Sequence, residues 1–139
     1  MNALQRWSGF SKQEILNKFE YRFANGPQVY VSGPNTVGVY GKYNHELSPG
    51  VLFIDPVTVD KYQQSQLNSK EEDALAFMLS IVVLHEFTHF STNILGVRNT
   101  GRFSFKETGN EFEKMLFDVI VKDGPNGNLN AVYIKFLKK

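Results

Sequence analysis

The stretch from Lys70 to Leu95 constrains this chain more than any other, because it reads as one long helix whose middle has no polar face. Ser69 and Glu72 have the spacing of a capping box, in which each side chain accepts from the other's backbone N–H, and Gly96 is placed to end the helix in a left-handed conformation. Between them, Ala74, Leu75, Ala76, Phe77, Met78, Leu79, Ile81, Val82, Val83 and Leu84 are apolar on every side. A helix apolar all round has to be buried. Yet it runs directly into His85-Glu86-Phe87-Thr88-His89, three ionisable side chains within one and a half turns. Burying two imidazoles and a carboxylate there is costly unless they are paired with each other or with a metal ion.

Histidines at i and i+4 stand on one helix face a turn apart, so both imidazoles can reach one Zn²⁺, and the Glu beside the first can reach a water next to the ion. His85 and His89 are therefore the expected metal ligands, and Glu86 the expected catalytic general base. A catalytic zinc needs a third protein ligand and one open position. A third His in the extended metzincin pattern is excluded, since the positions it would need hold Thr92 and Leu95, and the chain has no cysteine. His45 lies upstream in a polar loop, which leaves a downstream carboxylate. Glu107, Glu111 and Glu113 are available on a predicted third helix. At about 100° per residue, Glu113 shares a face with Leu116, Phe117 and Ile120, whereas Glu111 points away and Glu107 partners Ser104 in a capping box. Glu113 is the expected third ligand, with Glu107 and Glu111 as alternatives, and Gly109 would let this helix approach the histidine helix closely. Asp118 or Asn110 could orient the imidazoles, and Tyr43, His45, Arg98 or Arg102 could assist at the oxyanion.

The remaining sequence supplies a small frame for that helix. Ser11 and Glu14 open a short amphipathic helix carrying Ile15, Leu16 and Phe19. Gln28 to Tyr40 alternates about Gly33-Pro34-Asn35 as a hairpin would, Val51 to Ile54 reads as a third strand, and an extended peptide could add to such a sheet edge. Asp60 to Asn68 reads as a polar connector, the third helix runs from about Phe105 to Val121, and Ala131 to Leu137 looks β-like. The expected whole is an α+β fold of one domain, residues 1–139, with a small antiparallel or mixed sheet on the central helix and two further helices, and its H-E-x-x-H helix makes it resemble a zincin-like domain. At 139 residues, folding removes roughly two-thirds of the unfolded chain's surface from water, so a monomer is expected without disulfides. A net charge of +1 gives no reason to expect nucleic acid or an anionic membrane as partner, and the apolar run is short of the roughly 20 residues a membrane span needs. Residues 1–10 lack the charged and apolar regions of a signal peptide.

H-E-x-x-H followed by a glutamate ligand on a later helix resembles the gluzincin arrangement of zinc metallopeptidases. Within that group the run Glu107-Thr108-Gly109-Asn110-Glu111-Phe112-Glu113 is similar to metallopeptidase toxin domains at the C-termini of bacterial polymorphic toxins and secreted effectors. The resemblance implies a zinc-dependent endopeptidase with one catalytic Zn²⁺ and a protein or peptide substrate. It also implies synthesis in a bacterial cytoplasm, delivery by a specialised secretion system into a competitor or host cell, and a cognate immunity protein. Other readings of the same residues are a stand-alone mini-gluzincin that processes its own cell's proteins, or a zinc-stabilised binding module without catalysis.

Overall fold

The computed structural model describes residues 2–19, 26–32, 39–96 and 107–138. Two short helices, α1 (Ala3–Ser8) and α2 (Lys12–Phe19), lead into strands β1 (Gln28–Val31), β2 (Gly41–Lys42) and β3 (Val51–Ile54). Helices α3 (Pro56–Gln64), α4 (Lys70–Ile94), α5 (Thr108–Phe117) and α6 (Leu129–Leu137) follow. The α+β expectation holds, with a mixed sheet and more helix than the sequence suggested.

Helix starts follow the local chemistry. Ser11 Oγ accepts from the Glu14 N–H at 3.2 Å and Glu14 accepts from the Ser11 N–H at 2.6 Å, closing the first box. Ser69 caps α4 by accepting from the Glu72 N–H at 3.0 Å, while Glu72 reaches back to the Asn68 N–H at 3.0 Å. Gly96, at φ 67°, takes the left-handed conformation that ends α4. Ser104 lies outside the described residues.

Several elements differ from the expectation. Within the described residues β1 runs parallel to β3, and β2 antiparallel to β3, in the order β1-β3-β2. β3 is thus a neighbour of β1 that the sequence did not name, because period-two alternation defines a strand without identifying what lies beside it. The turn and most of the second arm of the expected Gln28 to Tyr40 hairpin, residues 33–38, lie outside the described residues. Part of the expected connector from Asp60 is helical in α3, which begins with Asp55 at the N-cap and Pro56 in the first turn and lays Val59 and Tyr62 on the core. The β-like C-terminal segment is the helix α6, whose Leu129, Val132, Tyr133 and Phe136 recur at i, i+3, i+4 and i+7 and pack on α4. α1 was not anticipated; it is capped by Asn2, whose side chain accepts from the Gln5 N–H at 2.9 Å, and buries Trp7.

α4 is the element that the rest cover. Ala74, Leu75, Met78, Ile81 and Val82 pack with Ile54, Val121, Leu129 and Val132 on one side. Phe87 and Phe90 pack with Phe10, Ile15 and Leu52 on another. Leu84 closes a third cluster with Ala3, Trp7 and Phe112. Among the phenylalanines, Phe10, Phe90 and Phe112 are buried, whereas Phe19 and Phe136 are partly open to solvent. By length and composition α4 would also pass for a membrane span, its best window having a mean hydropathy of 1.4; here it carries the core and the histidine motif. Phe87, midway between the two histidines in sequence, is completely buried against Phe10 and Phe90. Phe87→Ala should lower unfolding free energy by about 3–5 kcal/mol in chemical denaturation; a loss no larger than that of a surface substitution would contradict this packing.

Candidate metal centre

The site forms where the N-terminus of α5 meets the His85–His89 face of α4. Gly109 makes that approach possible, because a Cβ on it would overlap the His85 ring. Glu107 is the N-cap of α5, and the two oxygens of its carboxylate point in two directions. Oε2 accepts from the Asn110 backbone N–H. Oε1 lies against the Nε2 of His89 and 3.4 Å from the Nε2 of His85. One atom each from His85, His89 and Glu107 falls within 4.8 Å of the others, close enough to share one ion.

The other ring nitrogens are occupied by acceptors. Glu113, buried on the inner face of α5, receives a hydrogen bond of 2.6 Å from His85 Nδ1. A carboxylate can only accept, so that nitrogen carries a proton, and in the neutral ring Nε2 is the atom left with a lone pair toward the cluster. His89 Nδ1 lies 3.4 Å from the hydroxyl of Thr108, which is 3.1 Å from the hydroxyl of Thr88, which in turn donates to the His85 carbonyl at 2.7 Å. This chain is consistent with His89 donating through Nδ1, again freeing Nε2. Two imidazoles that in the neutral form present Nε2 beside one carboxylate oxygen make an N₂O donor set suited to a divalent transition metal.

Glu86 stands next to this set and is 7% exposed, with one oxygen 4.0 Å from His85 Nε2. Burial pushes its carboxyl above the usual range, while His85 and His89 pull it back. Together with His85, Asn110 and Glu113 it lines one end of a cavity of about 190 Å³ whose other walls are mainly apolar, including Met78, Ile81, Val82 and Val121. Gly41 of β2 borders it, and a Cβ there would crowd Val82 and Glu86. For the protein alone, burial opposes protonation of His85, but the Glu107 and Glu113 carboxylates outweigh it and raise its pKa to about 10. Burial likewise pushes Glu107 upward, but hydrogen bonds from His85 and His89 hold it well below the ordinary carboxylate range.

The structure thus brings His85, Glu86 and His89 together as the motif implied and puts Glu107, rather than Glu113, beside both Nε2 atoms. Glu113 was expected as the third ligand because it faces inward, and it does; its reach ends at the far nitrogen of His85. Glu107 was an alternative ranked below Glu113 because Ser104 gave it a capping role, although its position two residues before the close-approach glycine was the available signal. Glu111 pairs with Lys114 at 3.3 Å on the outer side of α5. Asp118 ends α5 in the left-handed region and pairs with Lys135, so Glu113 and Thr108 stand where Asp118 or Asn110 was expected to orient the imidazoles. His45 is in an exposed turn beside Glu46, and Tyr43 donates to the Pro49 carbonyl and accepts from Asn93. Arg98 and Arg102 lie outside the described residues.

The elevated His85 pKa has a sign that can be tested. Its folded value lies above the ordinary 6.5, so this group stabilises the fold fully below pH 6.5 and that contribution fades as pH rises toward about 10. Metal-stripped protein should melt at progressively lower temperature across that interval, and a metal that replaces the Nε2 proton should flatten the dependence. A midpoint that climbs over the same range would contradict the ion pairs.

No curated protein and no solved structure matches the chain at a significant level. The family described as metallopeptidase toxin 3 matches residues 1–118, a span that takes in α1 through α5 and every residue of the His85, His89, Glu107 and Glu113 cluster. A metallopeptidase works with a metal ion, and the donor set fits one. The chain belongs to the metallopeptidase toxin 3 family.

Proposed function

We propose that this chain is a zinc-dependent endopeptidase of gluzincin type, in which His85, His89 and Glu107 hold the ion and Glu86 is the general base. The observation that carries it is the grouping of one donor atom from each of those three residues within 4.8 Å, with the buried Glu86 carboxylate adjoining. The absence of cysteine and the imidazole–carboxylate donor set favour Zn²⁺. Bound there, Zn²⁺ would polarise the scissile carbonyl and acidify a water molecule.

The protein's own residues account for the rest of the chemistry. Glu86 takes the proton of the attacking water and passes it to the leaving amine, a task helped by a carboxyl raised toward the working pH by burial. Glu113 and Thr108 hold the two imidazoles in the required tautomers. The cavity beside Glu86 gives an apolar substrate side chain a place to enter next to the reacting peptide. The toxin family supports a protein substrate and a cognate immunity protein; with it we propose a target inside a competitor or host cell, reached from the producing bacterium by a specialised secretion system.

Glu86→Gln should abolish proteolysis and toxicity on expression while zinc content, measured by elemental analysis, stays at one equivalent. Glu107→Gln should instead lower zinc occupancy. Full cleavage activity in Glu86→Gln would sink the general-base role, and undiminished zinc affinity in a folded Glu107→Gln would remove Glu107 from the ligand set.

A further inference from the structure

Glu113 is 5% exposed and both of its oxygens are engaged by N–H donors from different parts of the fold. Oε1 accepts from His85 Nδ1 at 2.6 Å, and Oε2 accepts from the Val121 backbone N–H at 2.7 Å. Val121 follows the end of α5 in an irregular stretch outside the described strands, so side chains meet several of its backbone groups. Asn128 accepts from the Lys122 N–H at 2.8 Å and donates to the Ile120 carbonyl at 2.9 Å, and the Tyr40 hydroxyl accepts from the Asp123 N–H at 3.0 Å. Ile120, Val121 and Lys122 form one wall of the cavity that has His85 and Glu86 at its end.

We propose that Glu113 is a positioning residue shared between a metal ligand and the cavity wall: one oxygen sets the tautomer of His85 and the other fixes Val121, so the grip on the ion and the shape of the cavity depend on a single buried carboxylate. This rests on the ligand assignment proposed above. Val121 lies beyond residue 118, where the family match ends, so the bond ties the matched part of the chain to its C-terminal segment.

The chemistry makes the two roles inseparable. A carboxylate offers two acceptors, whereas a glutamine amide offers one acceptor and one donor. In Glu113→Gln, the oxygen can stay with Val121, in which case the NH₂ faces His85 Nδ1 and forces the ring proton onto Nε2, where the ion binds. Alternatively the oxygen stays with His85 Nδ1, and the Val121 N–H loses its acceptor. One of the two must fail.

The test uses the full chain as wild type and Glu113→Gln, with zinc affinity measured against a competing chelator. Nitrogen-15 NMR of the His85 ring and hydrogen exchange of individual amides accompany it. Expected in folded Glu113→Gln is a weakening of zinc binding by about 10–100-fold. It should come with either loss of the His85 Nδ1 proton or faster exchange at Val121, while the Lys122 amide, held by Asn128, keeps its rate. Zinc affinity equal to wild type overturns the proposal. So does weakened zinc binding with neither the tautomer nor Val121 changed, the result expected if Glu113 were itself a ligand. Should Glu113→Gln not fold, the wild type decides: a His85 Nδ1 without a proton, or a Val121 amide exchanging like an unbonded one, overturns the sharing. Absence of zinc from folded wild type would sink the function proposed above; the tautomer and exchange measurements would still report on Glu113.

Discussion

The cost of placing ionisable groups inside an apolar helix governs how this protein is arranged. α4 is buried because it has no polar face, and its histidine motif lies where imidazole and carboxylate have little water to solvate them. Each such group must find a partner, and α5 supplies them: Glu107 for the Nε2 atoms, Glu113 for His85 Nδ1 and Thr108 for His89 Nδ1. The closeness of α4 and α5 is thus a requirement of electrostatics as much as of packing.

That closeness depends on a few small or polar residues. Gly109 removes the side chain that would strike His85, and the buried hydroxyls of Thr88 and Thr108 bond to each other where the helices touch. Glu107 is an uncommon N-cap residue, longer than the Ser, Thr, Asp or Asn that helix starts prefer. Its length lets one oxygen satisfy the first turn of α5 while the other stays with the imidazoles. α5 ends at Phe117 with Asp118 at φ 65°, which turns the chain back so that Val121 meets Glu113.

Local chemistry made much of this legible. Ser11 with Glu14 and Ser69 with Glu72 marked two helix starts, Gly96 marked the end of α4, and the spacing of His85 and His89 marked a shared face. Patterns that need a named partner were harder to read. Alternation at β1 did not say that β3 would lie beside it, and a short C-terminal apolar run read as strand until its residues were seen to meet α4 at helical spacing. Glu113 shows the same limit: its inward face was visible on a helical wheel, but which nitrogen of His85 it would meet depends on how α5 crosses α4.

The sequence by itself determined the chemistry of the site: two imidazoles a turn apart, a glutamate beside the first, an apolar helix to bury them and carboxylates downstream to balance their charge. These follow from residue type and from the periodicity of a single helix, which are local properties. The tertiary structure decided how the carboxylates divide the work, with Glu107 at the cluster and Glu113 between His85 and Val121. That division depends on where α5 begins, how near Gly109 lets it come and where the chain turns after Phe117, and such distances exist only once the helices have packed.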